Sequence, residues 1–299
     1  MPRASSAMPV DKKISFIKRH AHMVACDSDG CVFDVMDLKH KECFCPAFIK
    51  HFRLQRCARQ AREVWEFVNL YSRTRGCNRF KAAGLALEFL AAHPDVRALD
   101  MHFMDFGALR HFVAATDALG EPALARAVEE TDDPALRAML DWTREVNAAV
   151  AAMCQGLGPF AGAAGALRTV SAQADLVVVS QAPRATLIGE WTHAGLDSGA
   201  AFIAGQEFGS KAAQIRQAME GRYTAEQVLV LGDAPGDQEA AESVGARFFP
   251  ITPGDETASW RSFAGEGFPR FLSGGFGVTY QHELNASFSA ALPSSPPWL

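Results

Sequence analysis

The stretch Met23–Asp34, MVACDSDGCVFD, decides how the rest of the chain is read. Its first four residues, Met23-Val24-Ala25-Cys26, form an unbroken apolar run that stops at Asp27-Ser28-Asp29-Gly30. A short run without alternation, ended by carboxylates and a glycine, is the pattern of a strand buried on both faces of a parallel sheet. In open α/β sheets, binding and reacting groups sit at the carboxyl ends of such strands. Asp27 and Asp29 lie at i and i+2 of an extended segment and so point to the same side. Two anions that close repel, and a divalent cation of the Mg²⁺ kind relieves the repulsion because it prefers hard carboxylate oxygens. The plainer alternative is a polar turn after a strand, bent by Asp29-Gly30.

Further stretches repeat the pattern. Asp175–Ser180, DLVVVS, is a buried strand ending in a hydroxyl; Gln181 follows, and Pro183 starts a helix to about His193. Val228-Leu229-Val230-Leu231 is another such strand and runs into Gly232-Asp233-Ala234-Pro235-Gly236-Asp237. Lys211 opens an amphipathic helix, Ala212–Met219, after the loop Gln206–Ser210. Ala200–Ala204 and Arg247–Ile251 are shorter strand candidates, with helices over Ala161–Gln173 and Gln238–Val244. Strands alternating with helices predict an α/β domain with a doubly wound, mostly parallel sheet.

Between about residues 46 and 155 the pattern changes. Pro46 opens a helical region, and Val64, Trp65, Phe67, Val68 and Tyr71 repeat at three and four residues within Ala58–Tyr71. Ala82–Ala92, Gly107–Leu119, Glu121–Glu129 and Pro134–Cys154 read likewise, and no β-rich run interrupts them. This predicts an inserted all-helical domain, with Gly156-Leu157-Gly158-Pro159 as the return hinge. The mixed, charged segment Val35–Cys45 reads as a turn or small hairpin. The expected organisation is a first core part over 1–45, the helical domain over 46–155, a second core part over 156–280 and a tail over 281–299. Within the last two, Ala258–Phe263 is a candidate helix and Pro293–Leu299 is expected to be disordered.

A chain of 299 residues with 48% hydrophobic content can fill the core of one or two domains. A net charge of −5 gives no support for nucleic-acid binding by bulk charge. Seven cysteines, an odd number without paired metal-type spacing, read as free thiols in a reducing cytoplasm; Cys43 and Cys45 are too close for an ordinary zinc pair. No early segment is long and apolar enough for a signal peptide or membrane span, so the expectation is a cytoplasmic protein whose first dozen residues are loose.

The segment Asp27-Ser28-Asp29-Gly30-Cys31-Val32-Phe33-Asp34 resembles motif one of the haloacid dehalogenase (HAD) superfamily, Asp-x-Asp-Gly-x-x-x-Asp. Cys31 stands where that family usually has Thr or Val. Ser180 at the end of an apolar strand is similar to motif two, Lys211 to motif three, and Gly232-Asp233 with Asp237 to motif four, in the same order along the chain. The resemblance implies a Rossmann-like core with the helical segment as a cap. It makes Asp27 the nucleophile that forms an aspartyl-phosphate, and Asp29 the acid that protonates the leaving alcohol and then the base that activates water. Dehalogenases and phosphonatases of the family lack an aspartate at the second place, so Asp29 argues for C–O–P chemistry. Asp233, Asp27 and the backbone carbonyl of Asp29 would hold Mg²⁺, with Asp237 direct or through water. Ser180 would donate to a phosphoryl oxygen, Lys211 would neutralise developing charge, and backbone N–H groups of Ser28, Asp29 and Gln181 would complete the cradle.

Specificity has to come from other residues. Arg73, Arg75 and Arg79, in the break YSRTRGCNRF between two helices, are candidates to hold a second anionic group on the substrate. Lys39, His40 and Lys41 lie close to the flap expected after motif one. The expectation is a Mg²⁺-dependent phosphatase acting on a small phosphorylated metabolite. Nucleic acid and membrane are not partners in this reading, and the oligomeric state is open. A phosphomutase carries the same residues, and a non-catalytic protein that binds a phosphorylated ligand is the alternative from another class.

Overall fold

In the computed structural model, residues 13–116 and 119–299 are described; the expectation of a loose first dozen residues lies outside them. The apolar runs become strands β1 (Met23–Cys26), β2 (Asp175–Val179), β3 (Ala200–Ala204), β4 (Val228–Gly232) and β5 (Arg247–Pro250). They form one sheet in the order β3-β2-β1-β4-β5, with every neighbouring pair parallel. The chain thus winds outward from β1 in both directions, which makes the fold an α/β doubly wound sheet. Ala25 of β1 stands opposite Val177 of β2 and Val230 of β4, so the ends of the three central strands are level.

The period-two geometry of the strands divides their side chains between two cores. Val24, Cys26, Leu176, Val178, Leu229 and Leu231 face one side, against Leu167, Trp191, Trp260 and Phe263. Met23, Ala25, Val177, Val179, Val228 and Val230 face the other, against Ile215, Ala218, Ala241 and Phe288. Both faces are covered, which is why these strands read as continuous apolar runs.

Between β1 and β2 the described residues form helices and connecting segments with no strand of the sheet. The principal helices are Cys45–His51, Ala58–Asn69, Arg79–Ala92, Gly107–Ala115, Glu121–Thr131 and Pro134–Met153. Their apolar faces build a third core around Phe44, Phe48, Trp65 and Trp142. The Trp65 ring lies 4.7 Å from Phe48 and 5.8 Å from Trp142, centroid to centroid. Capping fixes the starts: Asp133 Oδ1 accepts from the N–H groups of Ala135 and Leu136 at 2.8 and 3.2 Å, and Asn78 Oδ1 accepts from Phe80.

Two expectations are corrected. Val35–Cys45 is not a turn or hairpin. Met36–Leu38, the π-helical Lys39–Phe44 and Cys45–His51 run on as one helical path. Pro46 has no N–H to donate, and the wider turn before it, closed by Cys45 N–H onto the His40 carbonyl, admits it near the start of the next helix. Buried Cys43, Phe44 and Cys45 anchor the path in the helical core. The tail is also folded. Val278–Ala291 is a helix, Leu292 is buried, and Trp298 packs on Phe67 and stacks on His93, each at 5.5 Å. Its Pro- and Ser-rich composition describes local preference only, and two apolar anchors outweigh it.

Candidate functional site

The level ends of β1, β2 and β4 deliver Asp27, Ser180 and Asp233 to one edge of the sheet, and all three are buried. Asp27 donates its N–H to the Leu231 carbonyl at 3.0 Å, which locks the first turn after β1 to β4. Pro235 begins the helix Pro235–Ser243, and its first turn returns Asp237 to the same place; Asp237 Oδ2 accepts from the Ala234 N–H at 3.1 Å. Ligand atoms of Asp27, Asp233 and Asp237 all lie within 4.8 Å of one another. Ser210 caps the helix Lys211–Met219 and so sets Lys211 at its head. Lys211 Nζ stands 2.9 Å from Asp27 Oδ2 and 2.5 Å from Asp237 Oδ1.

Three carboxylates buried this close are costly when ionised. Burial pushes Asp27 well above the usual carboxylate range; Lys211 pulls it down, and Asp237 and Asp233 push it further up. Burial likewise raises Asp237 against the pull of Lys211. Burial alone would lower Lys211, but Asp237 and Asp27 outweigh it and hold the ammonium charged. One lysine and the neighbouring Arg75 leave the carboxylates in excess, and Asp233 Oδ1 is buried with no hydrogen-bond partner. This donor set fits a hard divalent cation.

A cleft of about 1570 Å³ opens beside these groups, between the sheet edge and the helical region. Asp29 lines it, with Oδ2 2.5 Å from Lys39 Nζ and Oδ1 buried without a partner. Ser180 also lines it; its backbone N–H reaches Gln214 Oε1 at 3.1 Å, and its hydroxyl oxygen accepts from the Ala182 N–H at 3.1 Å. Ser28 is fully buried, with its hydroxyl oxygen accepting from Trp191 Nε1 at 3.0 Å. Gln181 lines the cleft while its side-chain amide donates to the Gly209 carbonyl at 3.0 Å.

The three arginines part company. Arg75 is buried and bonds Asp233, with Nε and Nη2 at 2.8 and 2.6 Å from Oδ2. Arg79 lines the cleft, donates to Asn147 Oδ1 at 2.8 Å and lies 5.0 Å over the Phe44 ring. Arg73 is exposed and is not among the residues that line the cleft; its backbone N–H bonds the Pro293 carbonyl.

Sequence reasoning missed Gln214, whose amide also donates to the Ser180 carbonyl at 2.9 Å and so holds the turn after β2 from both sides. It missed Glu190 as well. Glu190 lines the cleft with Oε2 buried and unpartnered, and burial, then Asp29, push its carboxyl up to about 7 against Lys39. Neither has a local signal, since each sits mid-helix and meets the site only through tertiary packing. Lys39, read only as lying near a flap, is the ion-pair partner of Asp29.

No protein-family model matches the chain, and no curated protein matches it. Among solved structures it is similar to a haloacid dehalogenase-like hydrolase from Streptococcus pneumoniae, with 14% identity, 80% of this chain and 90% of the other covered, and a TM-score of 0.43. A haloacid dehalogenase-like hydrolase from Xanthomonas campestris gives 14% identity over 87% and 100%, TM-score 0.44. A HAD-superfamily hydrolase of subfamily IA from Geobacter sulfurreducens gives 16% over 78% and 89%, TM-score 0.38.

Proposed function

We propose that the chain is a Mg²⁺-dependent phosphatase of the haloacid dehalogenase type that hydrolyses a small phosphate monoester. One observation carries this reading: residues from four distant segments, Asp27, Ser180, Lys211 and Asp233, converge at one sheet edge beside a cleft that Asp29 also lines. Asp27 attacks phosphorus and becomes an aspartyl-phosphate as the P–O bond to the alcohol breaks, which divides one hard hydrolysis into two steps. Asp29, two residues along, gives its proton to the leaving oxygen and in the second step takes one from the attacking water. Lys39 beside Asp29 holds that carboxyl toward the cleft. Lys211 steadies Asp27 and offsets charge on the phosphoryl oxygens, and Ser180 orients them. Asp27, Asp233, the Asp29 carbonyl and Asp237 would hold the Mg²⁺, whose charge lets a phosphate dianion approach the carboxylates.

The helical region acts as a cap over residues 46–155. It covers the cleft and restricts the substrate to a small metabolite. Among the described residues no helix is long and apolar enough to cross a membrane. All seven cysteines are free, as thiols are in a reducing compartment. The test is phosphate release from a panel of phosphorylated metabolites and an aryl phosphate, with Mg²⁺ and with chelator. Asp27→Asn should lower turnover at least ~10³-fold while circular dichroism stays unchanged. A variant as active as the parent would remove Asp27 from the reaction.

A further inference from the structure

We infer that Arg75 is a positioning residue through which the helical region sets Asp233 for its cation; this rests on the phosphatase reading of the same site. Arg75 belongs to the segment between helices Ala58–Asn69 and Arg79–Ala92, yet its guanidinium ends in the sheet domain's acidic cluster, only 4% exposed. Nε donates to Asp233 Oδ2 at 2.8 Å, Nη2 lies 2.6 Å from the same oxygen as an ion-pair contact, and Nη1 donates to the Leu70 carbonyl at 3.0 Å. Arginine–carboxylate pairs frequently spread the guanidinium fork over both oxygens. Here the hydrogen bond and the ion-pair contact fall on one oxygen, and the other, Oδ1, is buried without a partner in a residue that groups with Asp27 and Asp237. Arg75 thus fixes the carboxylate plane and leaves one oxygen for a ligand.

The surroundings are shaped for this pair. Gly30 has φ +75°, and a Cβ there would stand 2.5 Å from Asp233 Oδ2 and 2.7 Å from Arg75 Nη2. At Gly76, next to Arg75, a Cβ would come within 2.9 Å of the Ala234 Cβ, so the loop backbone lies directly against the residue after Asp233. Groups that orient a metal ligand typically change metal affinity 10–100-fold when removed. Linkage is reciprocal: if the loop's grip on Asp233 strengthens cation binding, the cation strengthens the loop's hold to the same degree. The positive charge of Arg75 acts in the opposite sense by repelling a cation, so the sign of the effect separates positioning from competition.

Mn²⁺ binding followed by electron paramagnetic resonance, without substrate, tests this on the full chain. Arg75→Ala should weaken Mn²⁺ roughly 10–100-fold, and Arg75→Lys, which keeps the charge but not the fork, should fall between it and the parent. Saturating Mn²⁺ should slow amide exchange over residues 70–78 in the parent and not in Arg75→Ala. Equal or tighter Mn²⁺ binding by Arg75→Ala overturns the inference, and so does unchanged exchange in the parent. If Arg75→Ala does not fold, Gly30→Ala takes its place: the added Cβ pushes the pair apart and should weaken Mn²⁺ too, and parent-like binding there overturns the inference. A parent chain that binds no Mn²⁺ removes the phosphatase reading and this inference together, whereas equal binding by parent and variant removes the inference alone.

Discussion

The sheet domain and the helical region are assembled by different rules. In the sheet domain, each chemical group follows a strand or heads a helix: Asp27 after β1, Ser180 after β2, Lys211 at the start of Lys211–Met219. Parallel register then carries these groups to one edge without further specification. In the helical region nothing similar fixes position. Its core is a cluster of large rings, Phe44, Phe48, Trp65 and Trp142, drawn from segments up to 98 residues apart, as the Trp142 Nε1 bond to the Phe44 carbonyl marks. Groups at the sheet edge are placed by backbone rules, and groups that the helical region brings to the cleft are placed by side-chain packing.

Breaking the helical core sharpens this contrast most. Trp65 is fully buried, and Trp65→Ala should cost about 3–5 kcal/mol, the range for removing a large aromatic from a core. If the two regions are separate folding units, urea unfolding of the variant becomes two-step, with the helical signal lost first. A single transition shifted as a whole would show that contacts such as Arg75–Asp233 and Trp298–Phe67 bind them into one unit.

The second test lies where the two regions meet. His40 stacks on Phe44 at 4.8 Å in the cleft wall, and its ring is pushed down to about 3, by burial first and then by Arg75, Lys39 and Arg79. A histidine whose folded value is depressed takes up a proton in the unfolded chain first. Its contribution to stability is therefore complete above about 6.5 and falls away as the pH drops toward 3. At pH 5 the loss is up to about 2 kcal/mol, trimmed by any water in the cleft that reaches the ring. Chemical denaturation at pH 7.5 and pH 5 should show that His40→Gln loses less stability over this interval than the parent. An equal loss in both would place the acid sensitivity elsewhere, with the carboxylates of the sheet edge.

The same division explains what could be read in advance. The apolar runs before Asp27, Ser180 and Asp233 carry their own stop signals, so the strands and the groups they deliver are legible from short windows. The helical segments were legible from their three- and four-residue rhythm for the same reason. Val35–Cys45 was not, because its helical state depends on a π turn and on Phe44 reaching Trp65 and Trp142. The tail was not, because Trp298 finds Phe67 and His93 across more than two hundred residues of sequence. Within the arginine-bearing loop nothing local distinguishes Arg75, Arg79 and Arg73, which end in the acidic cluster, in the cleft wall and in solvent.

That last distinction gives the smallest and most discriminating test. Arg79 lines the cleft at the head of its helix, and burial lowers it against the pull of Glu121, so its charge is only partly compensated inside the cavity. A second anionic group on a substrate would complete the compensation. Arg79→Ala should then raise KM for such a metabolite about tenfold, equivalent to ~1.4 kcal/mol, and leave hydrolysis of an uncharged-tail aryl phosphate within twofold. Arg73→Ala should change neither, because that side chain is exposed and outside the cleft. If Arg73 mattered as much as Arg79, the loop would be acting through its overall charge, and position inside the cavity would not be what selects the substrate. If Arg79→Ala slowed both substrates equally, its bond to Asn147 would be holding the helices of the region together. A KM effect confined to Arg79 and to doubly anionic substrates would make it a recognition residue and would assign specificity to packing in the helical region, apart from the chemistry at the sheet edge.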